Sequence, residues 1–156
     1  MNEGVEWALH CCLNLAWVGE EAVTAARLAA FYELPAAYLN KQLQALARAG
    51  ILSSVSGPKG GFRLNRSPEA ITLLDVVVAI DGPDDAFRCA QILHSSPFGE
   101  RDADYVTSCV ISRNMRAAEL VWRRDLAART LADVKAEVEM SYPGTDERTR
   151  RWFAGR

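Results

Sequence analysis

The sequence of 156 residues has no apolar run longer than a few residues, far short of the roughly 20 that a membrane-spanning helix needs. Its N-terminus also lacks the basic stretch and long apolar core of a secretory signal. These absences predict a cytoplasmic location. Structural disulfides are uncommon in such a reducing compartment, so the four cysteines are expected to be core residues, metal ligands or redox-active thiols.

Sequence signatures of common enzymes are missing as well. The chain shows no nucleophile–base pair, no phosphate-binding loop and no HExxH motif. We therefore expect that it is not an enzyme, and a small thiol or metal enzyme is the least supported of three alternatives.

Acidic residues are absent from residues 34–68, although the whole chain has a net charge of −2. Five basic residues and no acidic ones give this window a charge of +5; they are Lys41, Arg48, Lys59, Arg63 and Arg66. A patch of one sign on a mildly acidic protein is typical of a surface that binds a polyanion. A merely solvated surface is the other interpretation of the charge alone.

The first half of the chain alternates helical patterns with a glycine-rich hairpin. Apolar spacing predicts helices over 4–19, 24–31 and 36–49, with Thr24 as the N-cap of the second and Gly50 ending the third. Short strands at 51–55 and 62–64 flank the turn at 56–61. The predicted fold is mainly α, with a winged helix-turn-helix domain and its two-stranded wing in residues 1–80.

A winged helix places its third helix in the DNA major groove and its wing across the phosphates. The basic window covers these two elements and little else, so double-stranded DNA is the expected partner. Use of the fold only for protein contacts is the alternative. The predicted DNA-binding residues are Tyr38, Asn40, Lys41, Gln44 and Arg48 on the third helix, and Lys59 and Arg63 in the wing.

The second half begins with a capping box at Thr72 and Asp75, which predicts a fourth helix to Ile80. Residues 81–109 are expected to form an irregular loop that contains Cys89 and ends at Cys109. Dimerisation helices are predicted over 110–140, because a long apolar stripe needs a second subunit to cover it; the stripe is Ile111, Met115, Ala118, Trp122 and Leu126. Residues 141–156 are expected to form a flexible tail.

Several of these motifs occur together in one known family. They are Tyr38-Leu39, the VSGPKGGF segment at 55–62, TLLDVV at 72–77, and a cysteine-bearing loop before a long helix. The pattern resembles the bacterial winged-helix iron–sulfur regulators that include IscR and NsrR, over residues 4 to about 138. The opening segment 4–12, and Asp81-Gly82-Pro83 with Cys89 shortly after, most resemble the RsrR-type redox regulators.

The chain departs from the three-cysteine loop of the IscR and NsrR kind. Only Cys89 and Cys109 lie in this region, and two thiolates do not complete the four ligands of an iron–sulfur cluster. The resemblance to RsrR-type regulators implies that Glu6 and His10 supply the rest. It further implies a [2Fe–2S] cluster that bridges a homodimer, with the cysteines from one chain and Glu6 and His10 from the other.

The spacing of Glu6 and His10 is compatible with this implication. Residues four apart lie side by side on a helix, and a carboxylate with an imidazole is a common metal half-site. A solvated Glu/His pair and two spare thiols are the alternative interpretations. His94, five residues after Cys89, is a rival ligand.

The remaining cysteines and Trp7 are assigned from their helical faces. Cys12 falls on the predicted core face, whereas Cys11 is expected to point away from it and to be inert or open to oxidation. Trp7 faces away from the core stripe, either packing at a dimer interface or acting as a movable switch. The predicted function is a dimeric transcription regulator controlled by the redox or assembly state of the cluster; the alternative is a cluster-free regulator switched by cysteine chemistry or a partner protein.

Overall fold

The computed structural model describes residues 3–57 and 60–155, and most of them are helical. The elements in chain order are α1 (Glu3–Val18), α2 (Ala25–Phe31), α3 (Ala36–Arg48), β1 (Leu52–Val55), β2 (Gly61–Leu64), α4 (Leu73–Asp81), α5 (Tyr105–Ser108), α6 (Val110–Ala127), α7 (Leu131–Ser141) and α8 (Thr145–Ala154). The chain divides into two units, one of Met1–Gly82 with Ala127–Arg156 and a second of Pro83–Leu126. No helix in the described ranges is long and apolar enough to cross a membrane.

Helix α1 is the centre of the first unit and packs against α3, α4, α7 and α8. Because neighbours surround most of it, its core face is wider than the predicted stripe. Cys11 was expected to point away from the core, and this was wrong: Cys11 and Cys12 are both fully buried. The exposed part of α1 is a narrow strip that includes Glu6 and His10.

The helix-turn-helix motif is formed by α2 and α3. Thr24 caps α2 as predicted, since its hydroxyl accepts a hydrogen bond from the Arg27 N–H at 3.2 Å. Helix α3 is amphipathic, and the apolar side chains on its inner face are fully buried; they are Leu39, Leu43 and Leu46. This burial fixes the opposite face of α3 toward solvent.

The wing is the antiparallel pair β1–β2, in which Leu52 faces Leu64 and Val55 faces Gly61. Its base is joined to the segment before α2, because Val23 and Phe62 exchange two backbone hydrogen bonds of 2.9 and 2.8 Å. Gly61 has a φ of 147°, and a Cβ there would lie 2.4 Å from the Val23 backbone. Only glycine allows this close approach.

Helices α4 and α7 begin with matching capping boxes. The predicted box of Thr72 and Asp75 is confirmed, and Thr130 forms a second one with Asp133. The two N-termini are bridged at Thr72 and Thr130, where the Leu73 N–H donates to the Arg129 carbonyl at 3.0 Å. Helix α7, part of the predicted dimerisation segment, therefore belongs to the first unit, where it also packs on α1.

The prediction of a flexible tail over 141–156 was wrong for its larger part. Residues Thr145–Ala154 form α8, which packs on α1 and α7. Phe153 is buried and stacks on Phe31 of α2 with ring centroids 5.2 Å apart. Arg27 donates to the carbonyl oxygens of Trp152 and Gly155. These contacts come from residues distant in sequence, so the local pattern did not indicate them.

The second unit contains the cysteine loop, α5 and most of α6. The loop includes a short 3-10 turn (Ile92–Ser95), and Asp104 caps α5 by accepting from the Val106 N–H at 2.9 Å. Hydrogen bonding to Thr107 and Val106 lowers the pKa of the Asp104 carboxyl. Helix α6 exposes several large apolar side chains, namely Val110, Ile111, Met115, Leu120 and Val121.

Candidate nucleic-acid interface and cofactor ligands

The outer face of α3 carries the five residues of that helix that were predicted to bind DNA. Their side chains are exposed together, opposite the buried leucines; they are Tyr38, Asn40, Lys41, Gln44 and Arg48. Amide, hydroxyl and cationic groups are the donors and acceptors that contact base edges and phosphates. The arrangement is chemically suited to a major-groove surface.

The predicted wing residues have different surroundings. Lys59 lies outside the described residues. Arg63 on β2 forms an ion pair with Glu20 at 3.1 Å, and its Nε donates to the Ser53 hydroxyl at 3.3 Å. Glu20 follows α1 and is distant from Arg63 in sequence, so the charge pattern of the basic window did not reveal this pair.

The helical half-site lies on the exposed strip of α1. Glu6 and His10 are both exposed, and their spacing places them on adjacent turns. The imidazole of His10 packs beside the ring of Tyr32, with centroids 5.5 Å apart and planes inclined by 58°. The Tyr32 hydroxyl lies 3.5 Å from the His10 carbonyl oxygen, a weak hydrogen bond that it donates.

Trp7 lies between the half-site residues in sequence and contacts helix α3. Its half-buried indole meets the Tyr38 ring edge-on, at a centroid distance of 5.2 Å and an angle of 79°. Edge-to-face packing is one of the two arrangements that aromatic pairs prefer, the other being offset stacking. Residues 7 and 38 are far apart in sequence, and no local pattern could have indicated the contact.

In the second unit, Cys89 and Cys109 line one cavity of about 300 Å³. Both cysteines are half-buried, and the Cys89 thiol is 3.7 Å from the carbonyl oxygen of Tyr105, to which it donates. Apolar side chains form much of the wall, including Ile92 and Ile111. Although the two cysteines are twenty positions apart in sequence, they therefore line a common space.

His94 participates in the hydrogen bonding of the cysteine loop. Its Nδ1 lies 3.2 Å from the Glu100 carbonyl oxygen, its Nε2 lies 3.3 Å from the Gln91 side-chain oxygen, and its ring packs edge-on against Tyr105. Both ring nitrogens thus have partners within the loop. This arrangement favours a structural role for His94 over the ligand role left open by the sequence.

The cysteines of α1 have a different environment. Burial raises the pKa of the Cys11 thiol to about 12 and that of Cys12 still further, so both stay protonated at neutral pH. Protonated, buried thiols are poor nucleophiles and poor metal ligands. Across residues 3–57 and 60–155, no three or more His, Cys, Asp or Glu side chains lie close enough together to hold a metal ion.

The family profile for Rrf2, described as an iron-dependent transcriptional regulator, matches residues 1–137. The chain belongs to the Rrf2 family. As a member of this family it is a DNA-binding transcriptional regulator and not an enzyme.

The similar proteins match nearly the whole length of this chain. It is 32% identical to protein aau3 of Rhizobium meliloti over 142 residues, which cover 90% of this chain and 86% of that protein. Among solved structures, IscR of T. potens superposes with a TM-score of 0.67 at 21% identity and covers 91% of this chain and 90% of the other. CymR, the global cysteine regulator of B. subtilis, has a TM-score of 0.63 at 23% identity and covers 88% and 96%. These structures confirm the winged-helix fold.

For this Rrf2 protein, sequence reasoning found the residue types of the candidate site but missed their neighbours. Glu20 and Tyr32 were not singled out, yet Glu20 neutralises Arg63 and Tyr32 packs on His10. Only contacts between segments that are distant in sequence reveal these two residues. The five polar α3 residues lie on one exposed face, and Cys89 and Cys109 line one cavity; their roles stay predictions.

Proposed function

We propose that the protein is a homodimeric transcription regulator whose affinity for its DNA operator depends on the redox or assembly state of a [2Fe–2S] cluster. The observation that carries this proposal is the common cavity of Cys89 and Cys109. Two cysteines that line one apolar space are suited to bind a soft metal centre. A cluster of this type supplies reversible one-electron chemistry.

The ligand set that we propose is Cys89, Cys109, Glu6 and His10. The donor chemistry fits, because two thiolates, a carboxylate and an imidazole provide the four ligands that a cluster of this size requires. Glu6 and His10 are exposed and free of the α1 core. We propose that they are ligands of a cluster whose thiolate ligands come from the partner chain, as in RsrR-type regulators.

Control of DNA binding by the cluster then requires a physical link between the half-site on α1 and the exposed polar face of α3. The Trp7–Tyr38 contact provides one, since Trp7 adjoins the half-site residues and Tyr38 belongs to the DNA-facing set. Movement of the Trp7 ring would displace Tyr38 and alter the fit to base edges. Coupling of this kind between two sites typically amounts to ~1–3 kcal/mol.

The decisive experiment is purification without oxygen, followed by a visible spectrum and an assay of iron and acid-labile sulfide. Wild-type protein should be brown, with two irons per cluster. Cys89→Ala and His10→Ala should each remove or destabilise the chromophore and leave a folded dimer. His94→Ala is the matched control and should keep the colour; a colourless wild type would contradict the proposal.

Mixed dimers test whether the ligands come from both chains. In a heterodimer of a His10→Ala chain and a Cys89→Ala chain, split ligands would give one site with both defects and one wild-type site. About half of the heterodimer sites should then bind a cluster. A colourless heterodimer would show that each site takes all its ligands from one chain.

A cluster-free thiol switch is the second candidate, favoured by the same cysteine cavity and by the likeness in fold to CymR. An external peroxide would oxidise Cys89 and Cys109 to one disulfide, taking up two electrons and two protons as it is reduced to water. A colourless protein that forms this disulfide reversibly, as seen by mass spectrometry, would select this candidate. A brown protein would select the cluster.

A further inference from the structure

We infer that Tyr32 is a positioning residue that holds the imidazole of His10 and links it to the turn before α3. This inference rests on the proposed role of His10 as a cluster ligand. It adds a second connection, independent of Trp7, between the half-site and the segment that leads into α3.

The first step is the contact between the two rings. His10 is exposed on α1, and an exposed side chain ordinarily samples several rotamers. The Tyr32 ring lies beside the imidazole at 5.5 Å, and its hydroxyl approaches the His10 carbonyl oxygen. Tyr32 therefore contacts both the side chain and the backbone of one residue and restricts the directions in which the imidazole can point.

The second step is that Tyr32 is itself held firmly. It ends α2, where its N–H donates to the Ala29 carbonyl oxygen at 3.2 Å and the next N–H, of Glu33, donates to that of Ala30 at 3.4 Å. Phe31 meets its ring edge-on at 4.8 Å, and Phe31 is stacked in turn on Phe153 of α8. The support for the imidazole thus extends through α2 to the C-terminal helix.

The third step is the position of Tyr32 in the chain. It opens the turn between α2 and α3, in which Glu33 has a φ of 55° and the Leu34 N–H donates to the Ala29 carbonyl at 2.9 Å. A left-handed residue and a hydrogen-bonded turn make this connection stiff. A displacement of His10 would therefore press on the segment that sets the start of α3.

Proton NMR of the metal-free dimer at fixed pH tests the contact, because the chain has two histidines. Each imidazole lies against one tyrosine, His10 against Tyr32 and His94 against Tyr105. Tyr32→Leu removes a ring current and should shift only the His10 ring signals. Tyr105→Leu is the matched control and should shift only those of His94, and Tyr32→Phe should restore most of the wild-type His10 position.

Measurements on the cluster-bound protein test whether Tyr32 affects the cluster. Tyr32→Leu should shift the midpoint potential of the cluster. It should also increase the rate of cluster loss about 2- to 10-fold, the range that typical aromatic-pair energies give. Tyr32→Phe should behave nearly as wild type, and so should Tyr142→Leu, which replaces an exposed tyrosine of the same unit.

The outcomes separate this inference from the proposed function. If the His10 ring signals of folded Tyr32→Leu keep their wild-type chemical shifts, the proposed contact does not exist, whatever the protein binds. Shifted signals with an unchanged potential and unchanged cluster loss would overturn the positioning role. A wild type that never binds a cluster would overturn the proposed function, and with it the role of Tyr32 there, while the NMR shifts would still report the ring contact.

Discussion

Replacing Glu20 with glutamine should strengthen DNA binding. Glu20 pairs with Arg63 at 3.1 Å, and its carboxylate is almost wholly exposed whereas Arg63 is about two-fifths exposed. An exposed pair of this kind is worth ~0.2–1 kcal/mol, and it competes with any DNA phosphate for the guanidinium. Removing it should therefore tighten binding by about 1.4- to 5-fold at low salt, since about 1.4 kcal/mol corresponds to a factor of ten.

Fluorescence anisotropy with a labelled duplex of arbitrary sequence suits this measurement, because phosphate contacts do not depend on sequence. The gain should shrink as salt is added. Glu21→Gln removes the same charge one residue later and controls for general repulsion. An unchanged affinity for Glu20→Gln, or an equal gain for both variants, would refute the argument that Arg63 is held back from DNA.

Other predictions concern helix α3, the C-terminal helix α8 and the cysteine thiols. Lys41→Ala should weaken binding to all sequences and reduce the salt slope of log Kd by about one, measured by the same titration. Phe153→Ala should cost about 3 kcal/mol in urea unfolding, whereas a loose tail would give less than about 0.5 kcal/mol. In native metal-free protein at pH 8, iodoacetamide should label Cys89 and Cys109 but not Cys11, as counted by mass spectrometry. The free energy of unfolding should also fall between about pH 8.5 and 12, because the unfolded Cys11 thiol ionises there while the folded one stays protonated.

Local patterns were sufficient for helices α1 to α4 and for the caps at Thr24 and Thr72. The leucine spacing of α3 predicted its buried face, and the Thr-x-x-Asp signature at Thr72 predicted the capping box that the structure shows. Both depend on interactions within one or two helical turns. Such interactions can be read from neighbouring residues alone.

Features that depend on packing between distant segments were not predictable in this way. Helix α8 carries many charged residues and few apolar ones, and Phe153 is buried only because α2 lies against it. Cys11 is buried because several helices surround α1. The spacing of Glu6 and His10 indicated a shared face, but the Tyr32 ring beside His10 is set by the tertiary fold.

The junction between the wing and the segment before α2 bears on how the protein can be regulated. The two backbone hydrogen bonds of Val23 and Phe62, with no room for a side chain at Gly61, join the base of the hairpin to the start of α2. The base of the wing therefore follows any rotation of the helix-turn-helix motif as one rigid body. We therefore expect an effector that moves the helix-turn-helix motif to move the base of the wing with it.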